Sequence, residues 1–379
     1  MRSILARSVR SIDWPLVGAL SVLMAIGLVL AYSISTNPVS PNPALFRKQL
    51  IYVLAGICAF VFFSTINYRI WMVYSKVIYL GCIVALVGVL VVGVTIRGTT
   101  GWISLGITTF QPVEFAKIGL IFFLAKYFSD HGRHFFLWRH TIISGIATVA
   151  LIGLVLVQPD FGSAIVLAGI WFLMLLVVGI PRKHVIALIS IFLIAAAIGW
   201  MFVLKPYQKD RIMTFLNPQL DTQGVGYNVR QSIIAVGSGR IIGRGFGLGS
   251  QSQLKFLPEA ETDFIFAVLA EEFGLVGALT LLAGLLFLVY RLVATAQRTQ
   301  DNFAAYSALG LASLLTVQSF VNIGMNVGLA PVTGIPLPFL SSGGSSLLSL
   351  CIAFGIMSNI IYDVRTRGSH SALGFKDRV

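Results

Sequence analysis

Stretches of roughly 20 apolar residues recur along nearly the whole chain, and they limit its fold more than any other feature. A hydrocarbon core of about 30 Å needs roughly 20 residues of α-helix to cross it. Of the 379 residues, 57% are hydrophobic and 11% are charged, whereas about a quarter of the residues of a soluble chain are charged. A water-soluble fold cannot bury so much apolar surface, so the sequence predicts a membrane protein.

The predicted fold class is an all-α polytopic membrane protein with about ten transmembrane helices in a single membrane domain over residues 1–379. The helices are expected near residues 14–33, 50–65, 77–95, 112–128, 138–157, 163–180, 184–204, 264–290, 303–328 and 344–362. Residues 205–262 form one long loop between helices 7 and 8. Loops of this length inside a compact fold are usually functional or disordered.

The basic residues predict the orientation of the helices, because short loops rich in Lys and Arg stay on the cytoplasmic side. The side that holds both termini carries the larger share of the 27 Lys and Arg residues. Most of the remainder fall in the long loop, and long loops are poor indicators of orientation. We therefore expect both termini to be cytoplasmic and the 205–262 loop to be extracytoplasmic. The net charge of +13 then follows from topology and gives little reason to expect nucleic-acid binding.

Histidine and cysteine chemistry is not expected on the outer side. The histidines map to cytoplasmic loops or the tail, and the cysteines fall inside predicted helices: His131, His134, His140, His184 and His370, with Cys58, Cys82 and Cys351. This distribution argues against a His-based catalytic triad or a zinc site on the outer face.

Acidic residues cluster at the outer end of the eighth predicted helix. The group consists of Glu259, Glu261, Asp263, Glu271 and Glu272. An Asp at a helix N-terminus is held ionised by the helix dipole, while partial burial raises its proton affinity. Asp263 therefore suits the role of a general base. The alternative is that Thr262 or Asp263 only caps the helix.

Two further acidic positions adjoin outer helix ends. Glu114 and Lys117 lie three residues apart, on one face of the fourth helix, and are able to pair. Such a pair either holds two helices together or faces a cavity and orients a substrate, since a charge within an apolar helix needs a partner or a role. Asp160, in the connection before the sixth helix, either caps that helix or belongs to the site, and these roles are compatible.

Amides and glycines supply two weaker signals. Gln318, Asn322 and Asn326 recur every four residues and form a polar stripe on the ninth helix, which either joins helices or lines a wet cavity. The loop also carries a glycine-rich segment, residues 237–249, around Arg240 and Arg244. Glycines and arginines in this arrangement suit a phosphate group.

Several ordered motifs share the pattern of one known family. They are Gly101-Trp102-Ile103, Gln111-Pro112 with Glu114 and Lys117, Gln158-Pro159-Asp160 with Gly162, Tyr207-Gln208 with Arg211-Ile212, Gln231-Ser232, Pro258-Glu259 with Thr262-Asp263-Phe264, Glu271-Glu272 with Gly274, and Pro336 to Ser346. On these residues the chain resembles the SEDS family of shape, elongation, division and sporulation proteins over its full length. Residues 264–272 and 334–338 resemble the elongation branch more than the division branch.

The resemblance implies a peptidoglycan glycosyltransferase that polymerises lipid II at the outer face of the cytoplasmic (inner) membrane. It implies a class B penicillin-binding protein (a transpeptidase) as partner, with other membrane proteins of the elongation complex. It also implies that Asp263 is the essential carboxylate and that a divalent cation, Mg²⁺ or Mn²⁺, assists at a site the sequence does not locate.

Departure of a lipid diphosphate requires cationic groups near its oxygens. The predicted substrate- and diphosphate-binding residues are Arg47, Lys48, Glu114, Lys117, Asp160, Arg211, Arg240, Arg244, Gln318, Asn322 and Ser345. Two other functions stay open: a flippase for a lipid-linked cell-wall precursor and a non-catalytic scaffold of a synthase. A transporter often contains inverted repeats, and the sequence shows neither a repeat nor an acidic relay that crosses to the cytoplasmic half.

Overall fold

A computed structural model describes residues 13–96, 98–104, 106, 108–132, 136–203, 209, 213–215 and 224–373, most of them in α-helices. Nine of its helices are long and apolar enough to cross a membrane. Another helix, Pro112–His131, has 20 residues but carries Glu114, Lys117, Lys126 and Asp130. The predicted multi-pass helical membrane protein is confirmed.

The long helices follow the predicted order. They are α1 (Trp14–Ser35), α2 (Pro43–Thr65), α3 (Arg69–Val92), α4 (Pro112–His131), α5 (Trp138–Val157), α6 (Phe161–Val178), α7 (Arg182–Ile198), α8 (Val225–Ser238), α9 (Ile265–Arg298), α10 (Asn302–Asn326) and α11 (Gly344–Leu373). A π-helical turn, Gly199–Val203, continues α7, and a short helix, Ser250–Gln253, lies between α8 and α9. Helix α8 lies within the predicted long loop and packs against α9.

Two predicted helix starts are too late. Helix α2 begins at Pro43, so Arg47 and Lys48 lie in a helix and not in the preceding loop. Helix α3 begins at Arg69, eight residues before the predicted start at 77. Hydropathy detects the part of a helix that lies in hydrocarbon, whereas the polar turns that continue it into the interface leave no apolar signal.

A small antiparallel sheet, which the sequence did not predict, lies within the otherwise helical fold. Its strands are β1 (Val94–Ile96), β2 (Thr99–Ser104) and β3 (Thr109–Phe110), in the order β1-β2-β3. Hydropathy alone extends the third helix to residue 95, but α3 ends at Val92. The turn residue Gly98 has a φ of 80°, a backbone conformation that favours glycine.

Helix α10 lies at the centre of the bundle and packs against α4, α6 and α9. Helices α2 and α11 form another extensive contact. At Gly56 of α2, a Cβ atom would lie 2.8 Å from the Sγ atom of Cys351. Small residues at such positions let membrane helices approach closely. All three cysteines lie in helices, as predicted, and are free.

Helix α9 is broken at Gly274, where φ is 65° and ψ is −157°. The glycine-rich segment supplies the hydrogen bonds that the break removes. The amides of Arg244 and Gly245 donate to the carbonyls of Glu271 and Glu272, at 2.9 and 3.0 Å. On the other side of the break, the amide of Leu275 donates to the carbonyl of Arg240 at 2.9 Å. The glycine-rich segment therefore bonds to main-chain groups of α9 on both sides of the break at Gly274.

Glycine is required where these two backbones meet. A Cβ atom at Gly243 would lie 2.1 Å from the carbonyl oxygen of Glu272, and one at Gly239 would lie 1.8 Å from that of Ala270. Both distances are far shorter than any van der Waals contact. These two glycines therefore allow the backbone of the glycine-rich segment to lie close to the backbone of α9.

Candidate active site

Asp263 lies just before α9, and main-chain hydrogen bonds fix it there. Helix α9 begins at Ile265 with Phe264 as its N-cap residue, which has no side-chain cap hydrogen bond. The residue at the N-cap position is thus Phe264, and neither Thr262 nor Asp263 occupies it. The amide of Asp263 donates to the carbonyl of Glu259 at 3.1 Å, and the Asp263 side chain is partly exposed.

The polar stripe of α10 holds this segment from the other side. The Nδ2 atoms of Asn322 and Asn326 donate to the carbonyl oxygen of Asp263, at 3.1 and 3.0 Å. The Oδ1 atom of Asn326 accepts from the amide of Ala267 at 3.2 Å. Both asparagines are fully buried. The stripe thus connects α10 to the start of α9.

The same stripe binds the loop that precedes α11. Asn322 Nδ2 also donates to the carbonyl of Ile335 at 2.8 Å, and Gln318 Nε2 donates to that of Pro336 at 2.9 Å. These buried amides therefore take the role of joining elements. Substrate contacts by Gln318 and Asn322 stay predictions, since the bonds shown here join their side chains to main-chain carbonyls.

The loop formed by residues 331–343, called the 331–343 loop below, lies beside Asp263. A Cβ atom at Gly334 would lie 3.6 Å from Asp263 Oδ2. The hydroxyl of Ser341 donates to the carbonyl of Thr262 at 2.6 Å, and the amide of Ser342 donates to that of Glu261 at 2.8 Å. The loop therefore forms one wall next to the Asp263 carboxylate.

The 331–343 loop also reaches the Asp160 turn. A Cβ atom at Gly162 would lie 2.6 Å from the carbonyl oxygen of Thr333, so only glycine allows this contact. Asp160 caps α6 by accepting from the amide of Ser163 at 2.9 Å, as one of its predicted roles requires. Burial raises the pKa of the Asp160 carboxyl, and hydrogen bonds from Ser163 oppose that shift.

Glu114 and Lys117 form a buried ion pair beside this turn. Lys117 Nζ lies 2.7 Å from Glu114 Oε1, and the two side chains are 1% and 4% exposed. Gln111, the residue before α4, donates through Nε2 to Asp160 at 3.3 Å. Its amide donates to Ser345 Oγ at 2.9 Å. The starts of α4, α6 and α11 therefore meet at one place.

Apart from Lys117, the described members of the predicted cationic set lie on α2 and on the glycine-rich segment, and they are exposed. Arg240 and Arg244 lie on the glycine-rich segment, where Arg244 Nη1 donates to Ser250 Oγ at 3.0 Å. Arg47 and Lys48 are exposed on α2. Arg211 lies outside the described residues.

Aromatic contacts connect these two basic regions. The ring of Tyr32 lies 5.4 Å from that of Phe46 and stacks on Phe246 at 6.2 Å. Phe46 directly precedes Arg47, and Phe246 follows Arg244 by two residues. The basic start of α2 and the glycine-rich segment are therefore neighbours across the end of α1.

Main-chain hydrogen bonds occupy two of the glycine amides in the segment that was predicted to suit a phosphate. The amide of Gly243 donates to the carbonyl of Gly239 at 2.8 Å, and that of Gly245 donates to Glu272. The first bond lies within the glycine-rich segment and the second completes the broken helix α9, so these two N–H groups are not available to a phosphate. The side chains of Arg240 and Arg244 stay the predicted phosphate contacts of this segment.

The two deeper carboxylates have structural partners. Glu271 accepts from the amides of Gln251 and Ser252, at 2.8 and 3.1 Å, and so caps the short helix. Glu272 Oε1 accepts from the hydroxyl of Ser33 at 2.5 Å. Glu271 therefore holds the short helix against α9, and Glu272 joins α9 to α1.

The described residues contain no group of three or more His, Cys, Asp or Glu side chains that could hold a metal ion. Mg²⁺ is usually bound through one or two carboxylates together with substrate phosphates. A preformed cage of side chains for the expected cation is therefore absent from the described part of the chain.

Three residues at the site lay outside the predicted set: Asn326, Gly334 and Ser341. Asn326 was visible as part of the polar stripe. Gly334 and Ser341 belong to a stretch rich in Gly, Pro and Ser between two apolar helices, which is a loop signal. Their contacts with Asp263 and Thr262 arise from tertiary packing.

Known proteins share this sequence and fold. Residues 13–366 match the sequence pattern of the FtsW/RodA/SpoVE family, described as cell cycle proteins. The chain belongs to this family. It is 38% identical over 346 residues to peptidoglycan glycosyltransferase MrdB of Escherichia coli strain K12, covering 90% of this chain and 92% of that protein.

Other family members are similar to nearly the same degree. Stage V sporulation protein E of Bacillus subtilis is 35% identical, with 89% of this chain and 94% of the relative covered. A probable peptidoglycan glycosyltransferase FtsW of Geobacter metallireducens is 36% identical, with 89% and 91% covered. These values do not separate the branches of the family, so membership of the elongation branch stays a prediction.

Solved structures have the same fold. One, titled as the structural coordination of polymerization and crosslinking by a peptidoglycan synthase complex, aligns with a TM-score of 0.78 at 29% identity, covering 93% of this chain and 98% of that chain. The rod shape determining protein RodA of Thermus thermophilus aligns with a TM-score of 0.69 at 28% identity, covering 93% and 97%.

Proposed function

We propose that this membrane protein polymerises lipid II into glycan strands, as a peptidoglycan glycosyltransferase of cell elongation and rod-shape maintenance. One observation carries the proposal beyond family membership: Asp263 is partly exposed, while its main chain is fixed by α10 and its carboxylate adjoins the 331–343 loop. A base must be accessible and held in place to remove a proton.

In the proposed reaction, the Asp263 carboxylate takes the proton of the acceptor sugar's hydroxyl. The freed oxygen forms a bond to the anomeric carbon of the donor sugar. The bond between that carbon and the diphosphate oxygen breaks, and undecaprenyl diphosphate leaves with the electron pair. Attack opposite the leaving group inverts the anomeric centre in a single displacement.

Positive charge near the leaving diphosphate lowers the barrier. Lys117 is buried and already paired with Glu114, so its charge is largely compensated. The exposed side chains of Arg47, Lys48, Arg240 and Arg244 are better suited to meet the diphosphate. We also propose that a divalent cation, Mg²⁺ or Mn²⁺, arrives with the diphosphate, and no step above depends on it.

The proposed setting is the cytoplasmic (inner) membrane, with Asp263 on the extracytoplasmic face. A polyprenyl tail can then stay in lipid while the sugars reach the site. The similarity to a chain of a peptidoglycan synthase complex supports a class B penicillin-binding protein as partner, alongside other membrane proteins of the elongation complex.

Polymerisation of purified lipid II tests the catalytic role of Asp263. The full-length protein is assayed alone and with a class B penicillin-binding protein, as wild type, Asp263→Ala and Asp263→Asn. Loss of a general base is expected to lower the polymerisation rate by about 10²- to 10⁴-fold. Asp130→Asn, which removes an exposed carboxylate paired with Lys126, serves as the matched control and should retain the wild-type rate.

The outcomes separate the three functions. Equal polymer from wild type and a folded Asp263→Ala variant would remove Asp263 from its role. No polymer with any partner or cation would favour the flippase, which is then tested by translocation of lipid II across vesicles. If the partner protein alone catalyses polymer formation, this chain acts as a scaffold.

A further inference from the structure

A basic pocket lies at the end of the bundle opposite Asp263. It is formed where α9 and α11 approach the start of α1, and Arg291, Arg298 and Arg365 contribute to its walls. The space between the lining residues is about 270 Å³ when its open mouth is included. The enclosed cavity is only about 30 Å³, so a bound phosphate group would lie at the open mouth among the arginine side chains.

The charges in this pocket are not balanced by the described residues. Asp13 is 1% exposed and shares its carboxylate between two arginines, with Arg291 Nη2 at 2.5 Å and Arg365 Nη2 at 3.1 Å. Arg298 forms no ion pair with any residue in the described part of the chain. The residues that line the pocket therefore include three arginines and no acidic residue, and Asp13 pairs with two of these arginines.

One donor in the pocket also lacks a partner. The Nε atom of Arg291 is buried and forms no hydrogen bond to a described residue. A buried donor without an acceptor is costly, and most such groups in proteins are satisfied. The Arg291 guanidinium is therefore incompletely hydrogen-bonded, while the exposed Arg298 and Arg365 side chains supply the charge that an anion needs.

Aromatic residues indicate the depth of this pocket in the membrane. Trp14, which follows Asp13, is 62% exposed, and Tyr290, which precedes Arg291, is 63% exposed. Trp and Tyr concentrate at the boundary between lipid and water. Leu286, one helical turn before Tyr290, is 66% exposed and belongs to a lipid-facing surface. The arginines are thus at the level of lipid headgroups.

We propose that this pocket binds the phosphate headgroup of an anionic phospholipid, with Arg298 and Arg365 as the principal contacts. Arginine offers forked hydrogen bonds to phosphate oxygens, and basic pockets between transmembrane helices on the cytoplasmic side bind anionic headgroups. Apolar residues directly beside the pocket favour a lipid over an acidic protein segment. By the predicted orientation, the lipid comes from the cytoplasmic leaflet.

Lipid titration of the delipidated, detergent-solubilised full chain tests this site. The midpoint of thermal unfolding is measured against short-chain phosphatidylglycerol, short-chain phosphatidylcholine and inorganic phosphate. Phosphatidylglycerol should raise the midpoint and saturate, and the other two should not. Arg298→Gln should raise the half-saturating concentration about tenfold, because a charge-assisted contact is lost.

Arg182→Gln is the matched control, since Arg182 is exposed at the start of α7 on the same predicted side, and it should titrate as wild type. Arg365→Gln gives an independent second variant and should weaken the response similarly. An unchanged titration in both pocket variants would overturn the site. A phosphatidylcholine response equal to that of phosphatidylglycerol would show that charge is irrelevant, and an equal response to inorganic phosphate would replace the lipid with a free anion.

Discussion

Asn326 holds the Asp263 segment through both atoms of its amide. Nδ2 donates to the carbonyl of Asp263, and Oδ1 accepts from the amide of Ala267. Replacing a fully buried side chain of this kind leaves its former partners unsatisfied in the interior. The position of the Asp263 carboxylate therefore depends on Asn326, a residue that holds the main chain on both sides of the start of α9.

For Asn326→Ala we expect a loss of about 1 to 3 kcal/mol in unfolding free energy, together with slower polymerisation. The slower rate follows because a small displacement of a catalytic group is costly. Thermal unfolding and lipid II polymerisation are both measured. Asn359→Ala is the matched control, because Asn359 also binds main chain, at Tyr68 and Ser64, away from the site. A similar stability loss in Asn359→Ala with a normal rate is expected, and equal rates in both variants would contradict the positioning role.

The ion pair between Glu114 and Lys117 leads to a second prediction for single residues. Breaking a buried pair leaves one uncompensated charge, so Glu114→Gln should destabilise the protein by about 3 to 5 kcal/mol. The double variant Glu114→Gln with Lys117→Met should recover most of that loss. Asp130→Asn breaks the exposed pair with Lys126, whose side chains are 30% and 43% exposed, and should cost less than about 1 kcal/mol.

The double variant also decides between the two roles left open for this pair. If it is folded and polymerises lipid II at the wild-type rate, the pair only joins α4 to its surroundings. If it is folded and inactive, the charged groups contact the substrate. A Glu114→Gln variant as stable as wild type would show that the pair is not buried as described.

At the scale of elements, the broken helix α9 depends on the glycine-rich segment. Four main-chain hydrogen bonds cross between this segment and the two sides of Gly274, from Arg244, Gly245, Leu275 and Val276. The break would otherwise leave helix donors and acceptors unpaired in a membrane protein, where each costs several kcal/mol. Packing of this segment therefore replaces local helix bonding.

Gly243→Ala tests that contact between elements. Gly243 has a φ of 88°, and its Cβ atom would meet the carbonyl of Glu272. We expect destabilisation of about 3 kcal/mol or more, or failure to fold. Gly237→Ala, in the same segment but inside α8 with open space around it, should change stability by less than about 1 kcal/mol. The yield of folded protein and the midpoint of unfolding are measured for both variants. Equal values for Gly243→Ala and Gly237→Ala would contradict the close contact between the glycine-rich segment and α9.

For the whole molecule, the distribution of Lys and Arg predicts which end of the bundle faces the cytoplasm. Thr36, after α1, and Thr65, at the end of α2, are exposed at opposite ends. In a background with Cys58, Cys82 and Cys351 changed to Ala, Thr36→Cys should react with a membrane-impermeant maleimide in intact cells. Thr65→Cys should react only after the membrane is opened. The reverse labelling pattern would show that the topology is inverted and that Asp263 lies on the cytoplasmic side.

The sequence by itself determined the class of fold and the order of the helices, because apolar length against the thickness of a bilayer is a local property of the chain. Pro112 at the start of α4 and Asp160 at the start of α6 were likewise readable, since helix starts depend on a few adjacent residues. The pairing of Glu114 with Lys117 followed from their spacing alone.

Tertiary structure decided which of these residues surround Asp263. The 331–343 loop joins Asp263 to the Asp160 turn, although the partners are distant in sequence. The roles of Asn322 and of the glycines at 239, 243 and 274 also followed only from packing. A buried amide or a glycine has the same local pattern whether it binds a ligand or a neighbouring backbone, and only the position of that neighbour distinguishes the two.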